Sequence, residues 1–179
     1  MNSYVPREGT TALLLPVPPA DPILAAVAAQ YPRTVRAGVP AHLTALYPFL
    51  DHEQLSETTL DGCTRIAAEL APFSVEFSRC ATEPGMICLV PEPDENARRV
   101  IQLCEDEWPS VRPYGGKYAS NSPHVSVALD PEPDHVPRIL GIVEPLLPIR
   151  CEFSELHLVA YRAGAWGLCR RWSFGLSAA

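Results

Sequence analysis

Apolar residues recur along this chain with two different periods, which predict a mixture of strands and helices. Residues 73–77 alternate apolar and polar side chains, as a half-buried strand does. Residues 56–71 instead place apolar side chains on one helical face. The predicted strands cover 11–17, 41–49, 73–77, 86–90, 124–129, 151–161 and 166–174, and the predicted helices cover 23–31, 56–71, 94–108 and 136–147. This mixture predicts an α+β fold.

The order of the predicted elements repeats once along the chain. Each half contains a helix, a loop, a strand that begins near a histidine, a second helix, and a Phe-Ser strand that turns at glycine into a closing strand. The corresponding histidines, His42 and His124, lie 82 residues apart. This spacing predicts one bilobal domain built by pseudo-twofold duplication, with halves at 18–92 and 93–176 and the strand 11–17 leading in.

Proline is unusually frequent and limits the length of the helices. It accounts for 20 of the 179 residues, about twice the usual share. Because proline removes a hydrogen bond from a helix interior and clashes with the preceding turn, the helices are expected to be short. The composition therefore argues against a helical bundle. Hydrophobic residues at 47% and charged residues at 20% are typical of globular domains and exclude a disordered tail or a coiled coil.

Three features of the composition indicate which partners the chain can bind and in which compartment it is expected. The net charge of −7 offers no basic face for a long duplex, so a nucleic-acid ligand should be small or held at one local site. No apolar run approaches the ~20 residues that span a bilayer, and no secretory signal is visible. The six cysteines contain no C-x-x-C pair, which favours reduced thiols. We expect a cytoplasmic monomer with no membrane partner.

Two histidine motifs stand at corresponding strands of the repeat. His42-x-Thr44 and His124-x-Ser126 each place a hydroxyl two residues after a histidine. On a strand, residues i and i+2 face the same side, so each imidazole lies beside its hydroxyl. A lone strand histidine is usually a packed side chain, but two at matched positions indicate a shared site. The predicted catalytic residues are His42, Thr44, His124 and Ser126.

The sequence around these motifs resembles a known family. The segments 41–50 (AHLTALYPFL) and 123–129 (PHVSVAL) are similar to the two motifs of the two-histidine phosphoesterase superfamily, in its bacterial 2'-5' RNA ligase-like branch. Ser126 stands where many relatives have threonine. The resemblance covers almost the whole chain and implies a bilobal α+β fold in which two antiparallel sheets, flanked by short helices, enclose a central cleft. It implies catalysis without a metal or other cofactor. It also implies substrates that carry 2',3'-cyclic phosphates or 2'-5' linkages, as small nucleotides or RNA ends.

The motif residues suit the reaction that this resemblance implies. Hydrolysis of a cyclic phosphodiester needs a base that takes a proton from water and an acid that protonates the leaving ribose oxygen. Two histidines can share these tasks, and the two hydroxyls can donate to the phosphate oxygens. The resemblance implies that His42 is the acid and His124 the base in hydrolysis, with exchanged roles in ligation. The sequence alone leaves that order open.

Weaker candidates for substrate binding flank the motifs. Lys117 and Tyr118 lie in a long loop before the second motif and can reach a phosphate or stack on a base. Arg33 and Arg36 occupy the matching loop before the first motif. Tyr47 is a further candidate, although it fits a core or lobe-interface aromatic as well. The loop residues also fit a solvated loop tip.

Other kinds of site have little support in the sequence. The segment 115–118 (GGKY) lacks the spacing of a P-loop, no G-x-S-x-G motif occurs, and no cysteines and histidines have zinc-ligand spacing. His157 and Trp166 are interpreted as structural. Two alternatives stay open: a binding module that holds a nucleotide or RNA end without catalysis, and a phosphodiesterase for a cyclic phosphate other than RNA. The matched histidine pair favours an enzyme, because binding alone does not need two titratable groups.

Overall fold

The computed structural model describes residues 6–36, 38–116 and 122–175. Its α-helices are α1 (Asp21–Gln30), α2 (Glu57–Glu69), α3 (Glu95–Glu107) and α4 (Val136–Val143). Its strands are β1 (Thr11–Pro16), β2 (His42–Leu46), β3 (Phe73–Glu83), β4 (Met86–Glu92), β5 (Val125–Leu129), β6 (Ile149–Phe153), β7 (Glu155–Arg162) and β8 (Ala165–Ser173). Within these ranges, no helix is both long and apolar enough to cross a membrane.

The strands form one antiparallel sheet in which the two motif strands are central neighbours. The order is β6-β3-β4-β5-β2-β1-β7-β8. The β2–β5 ladder is brief and runs through the pair Leu43 and Val125, whereas the neighbouring ladders contain four or more pairs. Two four-stranded halves, β6-β3-β4-β5 and β2-β1-β7-β8, therefore meet at a short seam between β2 and β5.

The α+β class is confirmed, and the two predicted sheets are the two halves of this single sheet. The halves join because β2 and β5 would otherwise each leave an edge of unpaired backbone N–H and C=O groups. Leu43 and Val125 are buried at the join, with 0% and 1% exposure. The duplication with halves at 18–92 and 93–176 stays a prediction.

One predicted strand is in fact two strands. The segment 151–161 divides at Ser154, with β6 ending at Phe153 and β7 beginning at Glu155. Phe153 and Leu156 are both buried although they lie three residues apart, which breaks the period of two. The single residue Ser154 links strands that stand first and seventh in the sheet. The sheet must therefore curl until these two regions approach each other.

The strand β1 shows how the sheet separates its core from its open face. Leu13 and Leu15 point into the main hydrophobic core, which the helices cover. Ala12 and Leu14 belong to a second, smaller cluster on the opposite face. Because both faces of β1 are buried, its sequence reads as an unbroken apolar run instead of an alternation. The smaller cluster lies on the face that carries the histidine motifs.

The cysteines are free thiols, and most of them belong to the core. The buried ones are Cys63, Cys88, Cys104 and Cys151. Burial raises the pKa of Cys63 to about 12 and that of Cys151 to about 11. These thiols therefore stay protonated near neutral pH and act as small apolar side chains, as the sequence predicts.

Candidate active site

Both histidine motifs lie at the seam between β2 and β5. The middle residues of the two motifs face each other in the antiparallel ladder. This register aligns His42 with Ser126 and Thr44 with His124, so each imidazole faces the hydroxyl of the other motif. Residues opposite each other on an antiparallel pair have Cβ atoms about 5 Å apart. The four predicted catalytic side chains therefore form one compact group on the open face of the sheet.

Each histidine is held by the same kind of hydrogen bond. Nδ1 of His42 lies 2.7 Å from the carbonyl oxygen of Pro40, and Nδ1 of His124 lies 2.7 Å from the carbonyl oxygen of Ser122. A carbonyl can only accept, so Nδ1 carries the hydrogen and donates it. This assignment leaves Nε2 of each ring to exchange a proton with a ligand.

The two hydroxyls have different surroundings. The Ser126 hydroxyl donates to Sδ of Met86 on β4, with a separation of 3.3 Å. A thioether is a weak acceptor, so this contact exchanges readily for a phosphate oxygen. Thr44 is half-buried and lines the cleft beside His42. Both hydroxyls can therefore serve as donors to an anion at the seam.

A shallow, open cleft extends from His42 and Thr44 toward β7 and β8. Most of its floor is apolar or aromatic. The side chains that form this floor are Ala12, Leu14, Tyr47, Val159 and Trp166. The cleft thus joins a polar end, which suits a phosphate, to an apolar end, which suits a sugar or a base.

The predicted binding residues are distributed unevenly around this cleft. Arg36 lines it, and its guanidinium carbon lies 6.0 Å from the centre of the Tyr47 ring. Tyr47 belongs to the apolar floor and is only 7% exposed. Arg33 is exposed on its loop and does not line the cleft. Lys117 and Tyr118 lie outside the described residues.

Two aromatic residues that the sequence pattern did not assign to the site pack against Tyr47. Trp166, interpreted above as structural, lines the cleft with its ring centre 6.2 Å from that of Tyr47. The centre of the Tyr114 ring lies 6.0 Å from that of Tyr47, and the backbone N–H of Tyr114 donates to the carbonyl oxygen of Tyr47 at 2.7 Å. Both positions depend on contacts between distant segments, so no local period could have indicated them.

The surroundings of His42 lower its pKa below the ordinary value of 6.5. Burial is the largest cause, and the positive charges of Arg36 and His124 act in the same direction. The Pro40 carbonyl and Asp21 oppose the shift. Because His124 disfavours a second positive charge on His42, the pair resists holding two protons. A pair with one proton contains one acid and one base.

The site can therefore move protons at a bound anion. Two imidazole Nε2 atoms and two hydroxyls are available on one face of the seam. Among the described residues, no group of three or more His, Cys, Asp or Glu side chains could hold a metal ion. That the reaction needs no metal stays a prediction.

Solved structures share this fold at low sequence identity. Escherichia coli LigT complexed with 3'-AMP matches with a TM-score of 0.60 and 15% identity, over 96% of this chain and 100% of that chain. The TT0787 protein of Thermus thermophilus matches with a TM-score of 0.56 and 17% identity, over 94% and 100%. A structure described as a phosphoesterase matches with a TM-score of 0.55 and 13% identity, over 95% and 100%. Comparison with curated proteins found no match.

A family match extends over most of the chain. The 2'-5' RNA ligase superfamily matches residues 15–165, a range that includes both histidine motifs. The resemblance seen in the motifs is thereby confirmed, and the solved structures agree with it in fold. The chain belongs to the 2'-5' RNA ligase superfamily.

Proposed function

We propose that the protein is a phosphodiesterase that acts on 2',3'-cyclic phosphates or 2'-5' linkages at small nucleotides or RNA ends. The observation that supports it best is the matched pair of histidines across the β2–β5 seam. Each ring donates through Nδ1 to a carbonyl oxygen at 2.7 Å, which leaves both Nε2 atoms for proton transfer. A site that only binds an anion would not need two rings in this arrangement.

In hydrolysis of a cyclic phosphate, the two rings act on opposite sides of the phosphorus. One neutral imidazole accepts a proton from water at Nε2 as the water oxygen bonds to phosphorus. The other, protonated imidazole donates from Nε2 to the ribose oxygen as its bond to phosphorus breaks. Following the resemblance, we assign the acid to His42 and the base to His124, and ligation would exchange these roles. Thr44 and Ser126 donate to the non-bridging oxygens, where negative charge increases.

The cleft supports a nucleotide as the substrate. Its polar end lies at the seam, and its apolar floor continues toward Tyr47, Val159 and Trp166. Arg36 stands at the rim, where a guanidinium can contact a phosphate. Structures of the similar LigT protein contain 3'-AMP, ATP and NADP+. These observations favour a small nucleotide or a single RNA end over a long duplex.

A substrate panel assayed with EDTA present tests this proposal. The panel contains 2',3'-cyclic mononucleotides, 2'-5' dinucleotides and oligonucleotides that end in a cyclic phosphate, and binding is measured in parallel. We expect the wild-type protein to turn these substrates over at a rate that EDTA leaves unchanged. His42→Ala and His124→Ala should each lower this rate by a factor of roughly 10²–10⁴. His52→Ala and His135→Ala serve as controls. Binding without turnover would favour a binding module, and activity that EDTA abolishes and a divalent ion restores would refute metal independence.

A further inference from the structure

The sheet face that carries the catalytic group continues beyond it to the edge of the sheet. Leu14 on β1 pairs with Thr44 on one side and with His157 on the other, and His157 pairs with Arg171 on β8. With about 4.8 Å between strands, the backbone of Arg171 lies about 14 Å from that of Thr44. One row of aligned residues thus leads from the phosphate end of the cleft to an arginine at the edge strand.

A small polar cluster at the far end of this row has no role in the proposed mechanism. Nε2 of His157 donates to Oε2 of Glu155 at 3.0 Å, and the guanidinium of Arg171 lies 3.9 Å from the same oxygen. The side chains of His157 and Glu155 are 17% and 29% exposed, whereas that of Arg171 is 66% exposed. The carboxylate and imidazole are therefore held against the sheet, while most of the guanidinium remains available to a ligand.

The hairpin of β7 and β8 is locally basic although the chain is acidic. Residues 155–173 contain three arginines and a single acidic residue, whereas the chain as a whole has a net charge of −7. Arg171 is on the cleft side of this hairpin, since it pairs with His157. Arg170 pairs with Leu158 of the main core and so belongs to the other face, and Glu155 accompanies Arg171 on the cleft side. The exposed guanidinium of Arg171 is therefore the cationic contact that this face offers to a phosphate that continues from the cleft.

Exposed apolar surface lies beside Arg171 on the same hairpin. Leu168 pairs with Val159, which belongs to the cleft floor, and is 56% exposed. Next to it, Trp166 pairs with Tyr161, with their ring centres 5.6 Å apart. Surfaces that combine arginine with aromatic and apolar side chains are typical of binding to single-stranded nucleic acid.

We propose that the cleft-side face of the β7–β8 hairpin binds the single-stranded RNA that precedes the end held at the histidines, with Arg171 on the neighbouring phosphate. This inference rests on the proposed function and narrows it. The substrate class becomes an RNA oligonucleotide with a reactive end, in preference to a free mononucleotide. The planar guanidinium of Arg171 suits two phosphate oxygens, and Leu168 offers apolar contact to a sugar or base. The hairpin is short, so it accommodates only the last few nucleotides.

Binding of a labelled, single-stranded oligouridylate with a 3'-phosphate tests the surface without catalysis. Fluorescence anisotropy would compare wild type with Arg171→Ala and with Arg150→Ala. Arg150 is an apt control because it is also exposed and paired with a glutamate, Glu76, but lies on β6 at the opposite edge of the sheet. We expect Arg171→Ala to weaken binding roughly ten-fold and to reduce the slope of log K against log salt by about 0.7. Arg150→Ala should match wild type, and equal behaviour of the two variants would overturn the proposal.

Turnover separates this inference from the proposed function. We expect wild type to favour an oligonucleotide ending in 2',3'-cyclic phosphate over the cyclic mononucleotide, through a lower KM. Arg171→Ala should lose that preference while its kcat/KM on the mononucleotide stays unchanged. Equal loss on both substrates, or no preference in wild type, would overturn the inference and leave the proposed function intact. If neither substrate is turned over, the proposed function fails, and the anisotropy series alone decides whether the hairpin binds RNA.

Discussion

At the scale of single residues, the candidate site depends on one contact that occurs twice. His42 and His124 each donate from Nδ1 to a carbonyl oxygen two residues earlier in the chain. The motif spacing predicts which side chains meet, but only the structure shows which ring nitrogen remains for chemistry. The same contact also orients the rings, so little rearrangement is needed when a phosphate arrives.

The first residue-scale prediction concerns pH. The pKa of His42 is lowered from 6.5, by burial first and then by the charges of Arg36 and His124. In the proposed mechanism, activity needs the pair to hold one proton, and both limbs of the pH profile report the pair and not one ring. The lowered pKa of His42 places uptake of the second proton below pH 6.5. The plot of kcat/KM against pH should therefore be bell-shaped, with its acidic limb below pH 6.5. Arg36→Gln removes a charge that lowers this pKa and should move the acidic limb to higher pH.

The same series of pH profiles assigns the roles of the two rings. The variant that lacks the base should lose the acidic limb, and the variant that lacks the acid should lose the basic limb. With the roles proposed above, His124→Ala loses the acidic limb and His42→Ala the basic one. The fold loss of kcat in the double variant should be far smaller than the product of the two single fold losses, because the two residues act as a unit. An acidic limb above pH 6.5 in wild type would contradict the electrostatic argument.

The second residue-scale prediction concerns the hydroxyls. Thr44→Val and Ser126→Ala should each lower kcat roughly ten- to a thousand-fold, the scale for removal of one transition-state donor. Both changes are close to isosteric, so the thermal unfolding temperature should stay near that of wild type. Ser56→Ala provides a hydroxyl control away from the site, since Ser56 caps α2. Ser56→Ala should lower the thermal unfolding temperature and leave kcat unchanged. If Thr44→Val and Ser126→Ala also left kcat unchanged, the hydroxyls would have no part in the mechanism.

At the scale of elements, the periodicity of apolar residues predicts those helices and strands whose bounds depend on local geometry. The helix predicted at 56–71 is observed as Glu57–Glu69, because an apolar stripe with helical period is visible within one segment. The break at Ser154 was missed, since each side of it pairs with a different, distant strand. The place of Trp166 in the cleft has the same cause, because it depends on packing against Tyr47 in a distant segment of the chain. That the two motifs each place a histidine and a hydroxyl on one face follows from the sequence, because their spacing matches the strand period; their catalytic role stays a prediction.

Two helical glycines give an element-scale prediction with an internal control. A Cβ at Gly62 in α2 would lie 2.9 Å from Cζ2 of Trp108, whose ring packs against Phe49 with centres 4.7 Å apart. A Cβ at Gly141 in α4 would meet nothing within 4 Å. Gly62→Ala should therefore lower the free energy of unfolding by about 1–3 kcal/mol. Gly141→Ala should raise it by about 0.5–1 kcal/mol.

Urea denaturation of the two glycine variants beside wild type measures these changes, with the slope m checked for two-state behaviour. The packing of α2 against α3 through Trp108 is the physical basis of the difference in sign. If Gly62→Ala proved as stable as Gly141→Ala, the close approach of the two helices would be wrong.

At the scale of the whole molecule, the proposed catalysis depends on how the two halves of the sheet meet. The four predicted catalytic side chains are divided between β2 and β5, and the seam between these strands runs through Leu43 and Val125. Both of these side chains are buried in the core that the helices cover. The same packing that joins the halves therefore determines the distance between His42 and His124. The cleft continues from His42 and Thr44 over β1, β7 and β8, which belong to the same half of the sheet as β2.

This dependence predicts that a core truncation at the seam affects chemistry more than an equal truncation elsewhere. Leu43→Ala and Leu156→Ala both remove side chains with 0% exposure, and each should cost about 2–5 kcal/mol of stability. At a temperature where both variants are folded, Leu43→Ala should reduce kcat at least ten-fold more than Leu156→Ala does. The reason is that a displacement of about 1 Å in the site can lower the rate a hundred-fold. Wider spacing of the rings also weakens their repulsion, so the acidic limb of its pH profile should move up toward 6.5. Equal kcat and identical pH profiles in the two variants would show that the seam does not determine the spacing of the histidines.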